Sequence, residues 1–200
     1  MLTYTRAVKH NVNMNVLTAE RRAQVIGALV EGNSIRSVAR MSGVSRNTIM
    51  SLLVAVGSAC AEYQDSTLRC LPCKRVQCDE IWSFCYGKDK NLPEDKKNVF
   101  GYGSVWTWTA LDADTKLICS WIVGNRDALA ARAFMQDLAG RLDSRIQLTT
   151  DGHKVYLEAV AEAFGHGIDY AMLVKLYGED LKGETRYSPA VCNGAKKEVI

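Results

Sequence analysis

The hydrophobic pattern of this chain changes period once, near residue 76. Before that point the spacing is helical. Ala23, Ile26, Leu29 and Val30 recur every three to four residues behind Thr18, a suitable N-cap with Glu20 in the first turn. Gly32 ends that helix. Ser34 caps a short second helix carrying Ile35, Val38, Ala39 and Met41. Gly43 makes a tight turn, and Ser45 caps a third helix with Ile49, Leu52, Leu53 and Val56 on one side. Residues 1–15 are polar, Asn-rich and without period.

Beyond residue 76 the period is two. Val76, Cys78, Trp82, Phe84 and Tyr86 fall on alternate positions and predict a strand over 75–86. A charged connection over 87–98 leads to a second strand over 99–111, with Trp106 and Trp108 on one face. Asp112-Ala113-Asp114 is a turn, and 117–123 a third strand, close enough to complete an antiparallel meander. Residues 126–142 read as a helix with Leu129, Ala133 and Leu138 inward and Arg132 and Arg141 outward. A short strand over 146–150 ends at Asp151-Gly152; a helix over 155–164 and a strand over 168–176 follow. No element is predicted after Tyr177. Three strands, helix, strand, helix, strand is the succession of an α/β, ribonuclease H-like mixed sheet, here behind an N-terminal all-α helix-turn-helix module. The expected divisions are an arm over 1–16, the helix-turn-helix over 17–60, a linker over 61–75 and the sheet domain over 76–200.

Composition narrows the class. Hydrophobic residues make up 48% and charged residues 24%, which excludes a disordered chain. No apolar run suits a membrane span, and no secretory signal opens the chain, so a cytoplasmic location is expected. The net charge of +3 is unevenly spread. Residues 1–75 hold ten Lys/Arg against four Asp/Glu, a net +6, which leaves −3 for the rest. A basic front suggests a polyanionic partner. Seven irregularly spaced cysteines fit a reducing compartment better than a disulfide framework. Cys70, Cys73 and Cys78 could form part of a zinc site, although no second ligand pair follows them.

Two groups of residues carry candidate chemistry. In the segment 34–53, Ala39 allows a close helix crossing, Gly43 the turn, and Val44 and Ile49 plug a small core. The third helix then presents Ser45, Arg46, Asn47, Thr48 and Met50 at its N-terminal end. Arg and Asn suit guanine and adenine edges in a major groove, with Arg36 and Arg40 nearer the phosphates. A three-helix protein-binding module with solvated arginines is the alternative. The second group is Asp79, mid-strand, and Asp151, at the end of the fourth strand. A carboxylate among core residues is costly unless paired or bound to metal. In a ribonuclease H-like sheet the first and fourth strands are neighbours, so both acids reach one point. Hard oxygen ligands suit Mg²⁺, with Mn²⁺ as a substitute, and two such ions serve phosphoryl transfer without a Ser or Cys nucleophile. Adjacent Glu80 is expected on the opposite face, outside the metal's reach. His153 and Lys154 open the following helix, where backbone N–H groups favour phosphate.

The segments over 77–84 (QCDEIWSF), 148–156 (LTTDGHKVY), 169–175 (DYAMLVK) and 186–189 (RYSP) together resemble the insertion-sequence-one transposases. The resemblance runs from about Leu17 to the end, with several motifs in order. It implies a DDE-type transposase of a bacterial mobile element, binding double-stranded DNA at terminal inverted repeats and at a target. It also implies Mg²⁺ dependence and self-association on DNA, with Asp79 and Asp151 as first and second acids. Two departures stand out. The family has a cysteine-rich zinc segment before its helix-turn-helix, and here sixteen residues precede Leu17. Its third acid lies in a Glu-Arg-Gln-Asn stretch absent up to Ile200, where Glu179, Glu184 and Glu198 are the late glutamates. The expectation is therefore an incomplete site, as in a truncated copy. The alternatives are a non-catalytic helix-turn-helix DNA-binding regulator and a ribonuclease H-like nuclease acting on other nucleic acid.

Overall fold

The computed structural model describes residues 16–99, 101–177 and 192–200. The predicted arm, apart from Val16, lies outside them, as do Glu179, Glu184 and the Tyr187-Ser188-Pro189 segment. The chain forms two compact units that divide between Asp65 and Ser66.

The first unit is built from helices α1 (Ala19–Val30), α2 (Ile35–Ser42) and most of α3 (Arg46–Thr67). Its caps are those the sequence announces. Thr18 Oγ1 accepts from the Arg21 N–H, Ser34 Oγ from Ser37 and Ser45 Oγ from Thr48. Gly43 sits at φ +69°, the left-handed geometry that ends α2, and α3 leaves at 115° to it. Val25, Val38, Val44 and Ile49 fill the core. On α1 the apolar repeat and the buried face differ. Val25 is buried, whereas Ala23 and Val30 are exposed, because one turn's worth of burial selects a narrower stripe than the apolar pattern offers. The linker expected over 61–75 is also corrected. Residues 61–67 continue α3, since Ala61-Glu62-Tyr63-Gln64-Asp65 contains no Gly or Pro to stop it.

Gly43 gives a testable consequence. A Cβ there meets nothing within 4 Å, so Gly43→Ala carries backbone strain alone. It should destabilise this unit by about 1–2 kcal/mol, and Gly43→Asn by less, in urea denaturation followed by circular dichroism. A larger loss for Asn than for Ala would contradict this.

The second unit is a six-stranded mixed sheet in the order β3-β2-β1-β4-β5-β6. Its strands are β1 (Arg75–Cys85), β2 (Gly103–Asp112), β3 (Ile118–Gly124), β4 (Gln147–Asp151), β5 (Asp169–Tyr177) and β6 (Cys192–Val199). β1, β2 and β3 form the antiparallel meander; β1, β4 and β5 are parallel, and β6 pairs antiparallel with β5. The first five strands keep the ribonuclease H-like order. Helices α4 (Ala128–Ala139) and α5 (Val155–Phe164) pack on one face. There Val76, Cys78, Trp108, Ala110 and Leu148 of the sheet meet Phe134, Met135, Leu138, Tyr156 and Val160.

Several expectations are corrected in this unit. On α4 the buried face is Ala131, Phe134, Met135 and Leu138; Leu129 and Ala133 face outward. Arg141 is buried rather than outward, because its guanidinium is held by both Asp137 oxygens at 2.7 and 2.9 Å. The second strand begins at Gly103 rather than residue 99. β6 carries no sequence signal. It is an edge strand with almost every side chain exposed, so no hydrophobic alternation marks it.

Candidate metal centre and nucleic-acid interface

The carboxylate site forms where the sheet forks. β1 pairs with β4 only at Arg75↔Gln147, Val76↔Leu148 and Gln77↔Thr149; from Cys78 onward β1 pairs with β2 alone. Asp79 and Asp151 each lie two positions beyond the last pair and therefore share one face. Asp79, Glu80 and Asp151 each bring a carboxylate oxygen to within 4.8 Å of the other two. Among the described residues they are the one His/Cys/Asp/Glu group so placed. Cys70, Cys73 and Cys78 do not gather: Cys70 is exposed, and the Cys73 thiol lies 3.7 Å from that of Cys119.

Glu80 corrects the expectation that it points away. Its position on the strand does alternate with Asp79, but the fork leaves no β4 backbone beside it, and its carboxylate reaches the other two. The side chain is 1% exposed, and Oε1 is buried without a hydrogen-bond partner. Each aspartate is fixed by a backbone N–H: Asp79 Oδ1 accepts from Glu80 at 2.8 Å, and Asp151 Oδ1 from His153 at 3.0 Å. An orphaned buried carboxylate oxygen beside two more hard oxygen donors fits a divalent cation. Glu198, the late glutamate among the described residues, lies on β6 and pairs with Lys196.

Sequence reasoning missed Arg126, which it placed at the start of a helix. The residue lies before α4, between Asn125, whose carbonyl accepts from the Trp108 indole N–H at 3.0 Å, and Asp127, which caps α4 by accepting from Ala130. From there Arg126 Nε and Nη2 reach Glu80 Oε2 at 2.9 Å, and Nη2 reaches Asp151 Oδ2 at 3.2 Å. The guanidinium sits 4.8 Å over the Trp106 ring. The available signal was an Arg directly before an Asp cap, which aims the basic side chain off the helix.

Beside the acids lies a cavity of about 380 Å³ lined by Gln77, Asp79, Thr109, Thr149, Asp151 and Lys175. On the helix-covered side, burial pushes the Tyr156 phenol and the Cys78 thiol up, so both stay neutral. His153 stacks on Trp108 with centroids 6.5 Å apart, and its Nε2 is buried without a partner.

In the first unit Arg36, Arg40, Ser45, Arg46, Asn47, Thr48 and Met50 are all exposed. Ser45 and Thr48 also hold each other, hydroxyl to hydroxyl, at 2.8 Å. Among the described residues no single helix is long and apolar enough to cross a membrane.

No curated protein matches the chain. Among solved structures, a piggyBac transposase synaptic complex with hairpin DNA is similar at 15% identity and a TM-score of 0.42. The match covers 86% of this chain and 46% of that one. A Mos1 transposase paired-end complex with left transposon end is similar at 13% identity and a TM-score of 0.34, over 78% of this chain and 60% of that one. The chain thus spans about half the length of these structures. A family of DDE domains matches residues 101–183, a stretch that contains β2, Arg126 and Asp151.

Proposed function

We propose that this chain is a DDE-type DNA transposase of the insertion-sequence-one kind, acting in a bacterial cytoplasm and self-associating on paired DNA ends. The observation that carries the reading is the convergence of Asp79, Glu80 and Asp151 at the fork between β1 and β4, on a chain whose residues 101–183 match the DDE domain.

In this reading the three acids hold the divalent cation, Mg²⁺ with Mn²⁺ as substitute. The cation supplies neutralising charge and lowers the pKa of water beside a phosphodiester. The Glu80 and His153 N–H groups hold Asp79 and Asp151 in place, so no reorganisation is needed when DNA arrives. Water oxygen forms a new bond to phosphorus and the O3′–P bond breaks. The freed 3′-OH then attacks a target phosphorus in the same way. Asp112 and Asp137 are committed elsewhere, to the β2–β3 turn and to Arg141. The test is divalent-ion-dependent nicking of DNA carrying terminal inverted repeats. End binding with no nicking at any Mg²⁺ or Mn²⁺ level would turn the reading to a DNA-binding regulator.

The first unit supplies the address. Arg46, Asn47 and Thr48 open α3 at the end that enters a major groove, and Arg36 and Arg40 on α2 meet phosphate. Arg46→Ala should cost about 1–3 kcal/mol at one base pair and relax preference there. Arg40→Ala should weaken all sequences alike and reduce the salt slope by about one. Binding titrations on matched and scrambled ends at several salt concentrations separate the two. Equal, sequence-blind losses would count against this assignment.

A further inference from the structure

Resting on the DNA reading above, we propose that the far end of the β1–β2 hairpin is a stacking platform for unpaired DNA bases next to the cut. Glu80, Trp82 and Phe84 take successive positions on one face of β1, the face that α4 and α5 cover nearer the start of the strand. Trp82 lies opposite Trp106, a ring packed on the core with the Arg126 guanidinium over it. Beyond that pair the face is uncovered, and Trp82, Phe84, Tyr86 and Tyr102 are all exposed. The Trp82 and Phe84 centroids are 5.7 Å apart, and those of Tyr86 and Tyr102 5.5 Å. The row of rings thus begins beside the acids and runs away from them.

These rings are held rather than merely exposed. Ser104 Oγ accepts from the Trp82 indole N–H at 3.0 Å and donates its own proton to Asp89, which also accepts from the Ser104 N–H at 2.7 Å. A Cβ at Gly103 would collide with that Asp89 carboxylate, so glycine lets the loop close on the strand. Cations accompany the rings. Lys88 Nζ lies 5.4 Å from the Trp82 centroid, and Lys96 Nζ lies 5.4 and 5.5 Å from those of Tyr86 and Tyr102. Flat apolar faces interleaved with ammonium groups match a strand of flat bases on a charged backbone. An apolar protein surface laid here would bury the lysines at a cost. In a duplex the base faces are already stacked on one another, so the occupant is single-stranded.

The experiment titrates the full chain with two fluorescent single strands of about twelve nucleotides, oligothymidylate and the same backbone made abasic. Wild type should bind oligothymidylate at least about fivefold more tightly than the abasic strand. Trp82→Ala and Phe84→Leu should each weaken the first by about five- to a hundredfold and leave the second unchanged. Lys88→Gln should weaken both and flatten the salt dependence. Phe84→Leu keeps apolar bulk, so its result decides even if Trp82→Ala fails to fold. Equal wild-type affinity for the two probes, or undiminished oligothymidylate binding by Phe84→Leu, would overturn the platform. So would a wild-type dimer in sedimentation that Phe84→Leu dissolves without loss of oligothymidylate binding. Any of these with end nicking intact leaves the transposase reading standing. Wild type that prefers bases yet nicks nothing overturns that reading and keeps the platform.

Discussion

Asp151→Asn should abolish divalent-ion-dependent nicking, by at least about a thousandfold, while leaving end binding unchanged. Several kcal/mol of transition-state charge stabilisation depend on the ion, and each 1.36 kcal/mol is about tenfold in rate. Asp151 is the last residue of β4, is fixed by the His153 N–H, and is one of the two acids that Arg126 spans. The amide keeps the shape and removes the charge. Asp79→Asn should lose as much, and the double variant little more, because groups that act as a unit are not additive. The measurement is single-turnover nicking of end-containing DNA over a range of Mn²⁺, with binding followed separately. Nicking within tenfold of wild type in either variant would refute the assignment. The two compact units are what make the separation possible, since the helical unit has its own core.

Trp108→Ala should unfold or severely destabilise the sheet unit, costing about 3–5 kcal/mol. Trp108 is fully buried at the centre of the core, with Phe134 at 5.9 Å, Tyr156 at 5.5 Å and His153 at 6.5 Å, centroid to centroid. It also ties the Asn125 carbonyl beside Arg126. Trp108→Phe keeps most of the packing and loses only that N–H. It should cost less stability, yet it frees the turn that carries the arginine. Urea denaturation read by near-ultraviolet circular dichroism gives the first quantity, and Mn²⁺ binding gives the second. A loss under about 1 kcal/mol for Trp108→Ala would mean that the core repacks around the gap.

Much of this molecule was legible as pattern. The β1 and β4 spans, the Thr18, Ser34 and Ser45 caps and the Gly43 turn follow from local chemistry, and local chemistry is what a sequence displays. The misreadings share a physical reason: each depended on packing or pairing that the apolar pattern does not contain. Arg141 reads as solvated until Asp137 and the Leu68 carbonyl are in place around it. Leu129 reads as core until Phe134 and Met135 claim the sheet. β6 is held by backbone pairing with β5 and shows no apolar face. Glu80 is the most instructive case. Strict alternation sets it opposite Asp79, and that holds for the backbone. What alternation does not contain is where the neighbouring strand stops, and beyond Gln77↔Thr149 nothing separates the two carboxylates.

The short β1–β4 ladder has one more consequence. Three residue pairs set the phase of Asp151 relative to Asp79, and a slip of a single residue would carry one aspartate to the far side of the sheet. Assembly of the acids is thus a register sensor. The same slip would turn Leu148 of β4 out of the core, so a molecule that mispairs these two strands loses packing together with its gathered carboxylates. Gathering of the carboxylates and alignment of the two strands are, in this protein, the same event.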